Sequence, residues 1–145
     1  MSSLPGHQDP RALVVLTEGE CYRLLAGDTF GRVVFTRRAM PAIVPVNYLL
    51  DGRDILLRTD PKSQLGRAID ATIVAFEVDG IDRSSHTGWS VVVVGTAHAL
   101  EDDAGPREIR TVEPDPWAPG ARTLLVRITP GAVTGRKLTA PAPAE

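Results

Sequence analysis

The chain has 145 residues, 43% hydrophobic and 23% charged, which suits one folded domain and excludes a disordered or fibrous polymer. Sixteen Lys and Arg against eighteen Asp and Glu leave a net charge of -2, so no whole-molecule positive field exists to hold nucleic acid. A single cysteine, Cys21, excludes an intramolecular disulfide and a paired CxxC zinc site and suits a reducing compartment. The polar stretch Met1–Pro10 lacks a signal pattern and no apolar run reaches membrane-spanning length, so the expected setting is cytoplasmic, with no membrane partner. Only seven residues are aromatic (Trp 2, Tyr 2, Phe 3), so the core must be mainly aliphatic. The domain is expected over residues 11–138, between a flexible start (1–10) and a C-terminal tail (139–145) that frays from Pro141.

In chain order, Thr17 and Glu20 have capping-box spacing and predict a helix start. Cys21, Leu24 and Leu25 give that helix one apolar face, and Gly27 is expected to end it in the left-handed region. Strand-like runs follow at 31–36, 42–50 and 53–59, with Asp51-Gly52 between the last two as a type I′ turn signal. Pro45 cannot donate to a ladder, so its strand must be an edge, a bulge or a place where something else meets the backbone. Asp60-Pro61-Lys62 reads as an N-cap with proline at the first helical position, opening a short helix with Leu65, Ala68 and Ile69 on one face and an end near Asp70. Strands are expected at 72–79 and 89–100, separated by a polar loop with His86 and Gly88, and Gly95 suggests a bulge. A short helix and loop over 101–119 and a last strand at 124–128 complete about six strands, joined by links too short for parallel crossovers. The fold class is therefore mainly β: a small antiparallel barrel, closed or half open, with short helices.

Motifs for metal and serine-nucleophile chemistry are absent, and His7, His86 and His98 are scattered. The segment from Gly131 to Lys137 is one residue short of a phosphate loop and has Leu138 where Ser or Thr would meet magnesium, so it reads as a structural turn. Arg58, Thr59, Lys62, Ser63 and Gln64 gather cations, hydroxyls and helix-start N–H groups where a strand runs into a helix, which is chemistry suited to a phosphate monoester. The competing reading has Asp60 capping the helix and Lys62 and Arg67 simply solvated. Asn47 offers a donor and an acceptor to a planar ligand edge, or is an edge-strand amide. Trp89 and Trp117 are core or interface residues, or flat walls against a ring system. His86 is a candidate proton donor or an exposed spectator, and Cys21 is a packing residue.

The order of these segments resembles the flavin-binding split-barrel superfamily, in the branch related to pyridoxamine 5′-phosphate oxidase that includes nitroimidazole-resistance-type reductases. The resemblance rests on Glu20-Cys21, Gly31-Arg32-Val33, the run from Pro41 through Pro45-Val46-Asn47-Tyr48, Asp51-Gly52, Arg58-Thr59, the run from Ala75 to Asp79, the run from Gly88 to Val93 with Gly95, the run from Pro116 to Gly120, and Val133-Thr134-Gly135-Arg136. It implies a six-stranded antiparallel split barrel, a homodimer with FMN at the subunit interface, and a flavin-dependent oxidoreductase acting on a small planar molecule. On that resemblance Pro45, Val46 and Asn47 run along the flavin ring, and Arg58 and Thr59 meet the phosphate. Trp89 and Ser90 approach from the other subunit, and Trp117 lies on or near that interface. The family pattern at the second helix has glycine and lysine where this chain has Lys62 and Gln64, so the usual phosphate-binding ammonium is missing. This departure supports an alternative: a deazaflavin-binding or non-catalytic split-barrel protein acting as carrier, sensor or scaffold, or one with no cofactor.

Overall fold

The computed structural model describes residues 12–101, 104–111 and 124–140. The elements are β1 (Ala12–Val15), α1 (Glu18–Ala26), β2 (Phe30–Arg37), β3 (Met40–Asn47), β4 (Leu49–Asp51), β5 (Asp54–Thr59), α2 (Gln64–Ala68), β6 (Thr72–Asp82), β7 (Thr87–Leu100) and β8 (Leu124–Thr139), with a 3-10 turn at Arg107–Thr111. All eight strands form one antiparallel sheet in the order β3-β2-β6-β7-β8-β5-β4, and β1 adds to β8. Since β3 and β4 are consecutive in the chain, the two ends of this path curl toward each other into a half-barrel.

Eight strands stand where about six were expected, for two reasons. The expected strand 42–50 breaks at Tyr48, whose ring turns edge-on to Phe76 at 4.9 Å and whose hydroxyl donates to the Leu25 carbonyl at the end of α1. Leaving the ladder lets one residue fill the core and satisfy a helix-end carbonyl. The apolar run at 12–15 forms β1, which pairs with residues 136–139 of β8. That pairing also corrects the reading of the Gly131–Lys137 segment: it lies inside β8, which continues far past residue 128. The bulge expected at Gly95 is present, with the β7–β8 register shifting between Val94 and Gly95. Gly88 belongs to β7 rather than to the preceding loop. Pro45 sits on β3, the edge strand of the path, where its missing N–H breaks no ladder.

Turn chemistry needs two further corrections. The two-residue loop between β4 and β5 is Gly52-Arg53, with positive φ at Gly52 alone, so it is not type I′. The turn with both central residues at positive φ is Arg38-Ala39 (φ 51° and 61°), which carries no glycine or asparagine signal. Gly27 does cap α1 but at φ -85°, its N–H reaching the Arg23 and Leu24 carbonyls at 3.2 Å. The expected capping box is formed, with Thr17 Oγ1 accepting from Glu20 N at 3.2 Å and Glu20 Oε1 from Thr17 N at 3.1 Å.

The concave side of the sheet is the core. Val33 and Phe35 of β2, Phe76 and Val78 of β6, Val91 and Val93 of β7, and Val126 and Ile128 of β8 are buried against Cys21 and Leu25 of α1 and Leu65 and Ile69 at α2. Each such side chain contributes about 1.5–3 kcal/mol on burial. Burial also pushes the Cys21 thiol up, consistent with a packing role. The alternate residues of the same strands face outward and form a second surface that no described residue covers.

Candidate cofactor site

The segment following β5 is built differently from expectation. Ser63, not Asp60, is the N-cap of α2: its hydroxyl accepts from Gly66 N at 3.0 Å and donates to the Asp60 carbonyl at 2.6 Å. Asp60 closes the turn ahead of the helix, accepting from Lys62 N through Oδ1 at 2.8 Å. The cap moves because the buried Thr59 hydroxyl contacts Ser63 Oγ at 3.0 Å, tying strand end to helix start. The helix itself is one short turn and a half, ending at Ala68 with Ile69 as its C-cap, next to the expected end at Asp70. Lys62 and Gln64 are exposed, and the Lys62 ammonium makes no ion pair among the described residues. Arg58 is half-buried, and strand alternation turns it to the face opposite Thr59, the face where Leu56 and Leu125 pack on Ile109.

Along β3, Val46 is buried inward while Pro45 and Asn47 face outward opposite Arg32 and Phe30. Among the described residues the Asn47 amide has no hydrogen-bond partner, so its donor and acceptor are available to an incoming planar edge. On β7 Trp89 faces inward at the mouth of the half-barrel and Ser90 faces outward beside Arg136. A Cβ at Gly80 would lie 2.6 Å from Trp89 Nε1, so the indole can rest on β6 only because residue 80 is glycine. Trp89, Ser90 and Arg136 line an open groove of about 380 Å³ with Leu13, Ile81 and His86. His86 occupies the exposed β6–β7 hairpin at φ 56°. Trp117 lies outside the described residues.

Within one copy these pieces occupy separate places. Asn47 pairs with Phe30, and Ser90 with Asp79, so Asn47 and Ser90 are about three strand spacings, roughly 14 Å, apart on the outer face. The Thr59–Gln64 turn sits at the end of β5, with α2 against β2. Pro45 and Asn47 fit the edge of a flavin ring through an edge strand lacking one N–H and a free amide. The phosphate end fits with fewer cations, because Asp60 sits in the turn and Gln64 supplies an amide in place of an ammonium.

Sequence reasoning missed one constellation. On the outer face Arg32 Nη1 lies 3.1 Å from Glu77 Oε1 and 3.4 Å from Asp79 Oδ2. Burial, and then the hydrogen bond and charge of Asp79, push Glu77 up to about 7 despite the guanidinium. The signal was present in the sequence: Glu77 and Asp79 alternate with buried Phe76 and Val78, and Arg32 precedes buried Val33. Among the described residues no group of His, Cys, Asp or Glu could hold a metal ion, and no helix is long and apolar enough to cross a membrane.

Comparison with known proteins gives this geometry a family. Residues 17–137 match the family model described as pyridoxamine 5′-phosphate oxidase. The uncharacterized protein Rv0080 of Mycobacterium tuberculosis is 40% identical over 141 residues, covering 92% of this chain and 90% of that protein. Among solved structures, the FAD binding protein from Mycobacterium smegmatis is 32% identical with a TM-score of 0.67, covering 87% of this chain and 98% of that one. A FAD-binding protein from Mesorhizobium loti shares the fold at a TM-score of 0.74 and 23% identity, covering 89% of this chain and 98% of that one. With its curled antiparallel sheet and a family match spanning most of its length, this chain belongs to the pyridoxamine 5′-phosphate oxidase family of flavin-binding split barrels.

Proposed function

We propose that the protein is a flavin-dependent oxidoreductase that works as a homodimer, binding FMN between the two copies and passing hydride or electrons to a small planar molecule. The observation that carries this reading is the outward pair Pro45 and Asn47 on the edge strand, a position without an N–H beside an amide that has no partner among the described residues. The flavin supplies the redox chemistry when bound. The chain's own groups bind and orient: Asn47 meets the polar ring edge, Lys62 holds phosphate at the helix start beside the Ser63 hydroxyl while Arg58 stands apart on the other face of β5, and Trp89 and Ser90 act across the interface.

A second reading has its own support. Asp60 and Gln64 leave the phosphate end short of positive charge, which favours a deazaflavin or a flavin-binding protein without turnover. FAD is a further contender, because the relative from Mycobacterium smegmatis is a FAD binding protein. Titration with FMN, FAD and a deazaflavin, followed by absorbance, fluorescence and melting temperature, separates these. A ligand held only by the folded state must raise apparent stability, so the absence of any shift with all three would overturn the cofactor assignment. Gln64→Lys restores an ammonium to the turn and is expected to tighten FMN binding by about tenfold, the value of one charge-assisted hydrogen bond. Unchanged affinity would place the phosphate elsewhere.

A further inference from the structure

We propose that a second copy of the chain docks on the outer face of the sheet and that the Arg32, Glu77 and Asp79 cluster makes this docking depend on proton uptake. The inference rests on the homodimer reading above and adds a surface and a control to it.

The surface is defined by register. Ile43, Val34, Ala75, Val94 and Ala132 stand opposite one another across β3, β2, β6, β7 and β8, forming one apolar row over five strands. Ile73 and Ile81 extend it along β6, exposed at 73% and 65%, and Val15 of β1 is 82% exposed. From Ile73 to Ile81 the face runs about 27 Å, and five strands span about 24 Å at ordinary rise and spacing. That gives on the order of 650 Å² per copy before β1 adds its edge, against about 800 Å² per partner in a stable dimer. Apolar patches of this extent mark interaction sites on soluble proteins. The size match, and a nearly complete lack of charge outside the cluster, favour a second copy of the same surface as occupant.

The cluster lies in the adjoining rows. Around Glu77, β2 contributes Arg32, β7 contributes Val92 directly opposite with Ser90 and Val94 diagonal to it, and β6 itself contributes Asp79 and Ala75. The next charge on the face is Arg136 of β8, opposite Ser90. One guanidinium therefore serves two carboxylates, and the ionised cluster is net negative. Covering it withdraws solvent from that uncompensated charge, which is costly, whereas a proton shared between Glu77 and Asp79 makes the cluster neutral. Docking thus raises the proton affinity of Glu77 above its value in the single copy, where burial and then Asp79 already push it up to about 7. By linkage, docking is strongest when Glu77 is protonated and weakens as pH rises through neutrality.

Sedimentation equilibrium of the full chain at about pH 6 and about pH 8, at constant ionic strength, tests this. The dissociation constant is expected to rise at least tenfold between the two, since each copy releases up to one proton on separating. Glu77→Gln is expected to hold the low-pH value at both, and Asp79→Asn to move the midpoint to lower pH by removing the neighbouring negative charge. Circular dichroism of each variant at each pH establishes that it is folded. A dissociation constant indifferent to pH, one that falls as pH rises, or a Glu77→Gln variant that tracks the wild type would overturn the proton dependence and leave the homodimer standing. A chain that stays single at every pH would overturn both.

Discussion

The two faces of the β6–β7 ladder, written by alternating residues of the same strands, differ in what covers them. Inward, Phe76, Val78, Val91 and Val93 pack beneath the helices and are buried. Outward, Ala75, Glu77, Val92 and Val94 form a surface that is also largely apolar but carries a two-carboxylate, one-guanidinium cluster. The inner face secures the fold through close packing. The outer face holds charge in a half-buried setting, where it is neither solvated like a surface ion pair nor fully compensated like a core one.

Each difference between the faces can be measured. The largest effect is expected from Phe76→Ala, which empties the centre of the inner face and removes the edge-on contact with Tyr48. Denaturant unfolding should show a loss of about 3–5 kcal/mol. Glu77→Gln comes next and acts through pH. The folded protein binds this proton from the ordinary carboxylate range up to about 7, so wild-type stability falls as pH rises through that window and is lowest above it. At alkaline pH the variant should be more stable than wild type by up to about 3 kcal/mol, reduced by screening because the side chain is 26% exposed. Below the carboxylate range the two should agree, and a difference that persists there would mean the glutamine acts through packing. The Arg38-Ala39 turn joins two edge-side strands with two side chains in the left-handed region. Replacing the pair with Asn-Gly should raise stability by about 1 kcal/mol. The smallest effect is reserved for Val94→Ala, which should cost less than about 0.5 kcal/mol in the single copy. Its neighbour Val93 points inward and is buried. A large loss at Val94 would show that the outer face is covered within one chain.

Local signals read well where the deciding contacts are local. The capping box at Thr17 and Glu20 is four residues long and formed as expected. The edge position of Pro45 and the bulge at Gly95 follow from a missing donor and a missing side chain, which any sheet must accommodate. Reading failed where a distant partner decides. The glycines of 131–135 look like a turn, yet the segment is held straight by β7 on one side and, through the Gly135 carbonyl accepting from Leu16 N at 2.9 Å, by the start of the chain on the other. A Cβ on Gly135 would lie 2.6 Å from Cys21 Sγ, so this glycine serves close packing rather than a reversal of direction. The choice of Ser63 over Asp60 as cap was likewise settled by Thr59, a residue of the preceding strand. At the candidate site the residue types were legible, but which face each one occupies became clear only with the register.

The pairing of β1 with the end of β8 has a consequence for how the molecule comes into being. Ala12 and Thr139 are joined by a hydrogen bond across 127 positions of sequence, and β8 is the strand on which β7, β5 and β1 all converge. During synthesis β2, β3 and β6 can pair soon after they emerge, while β5 and β1 must wait for β8 residues made roughly 3 to 25 seconds later at about 5–20 residues per second. Until then their edges stay open. Closure of the half-barrel is therefore a late event with a high loop-closure cost, and the chain spends its most aggregation-exposed interval holding an unfinished sheet.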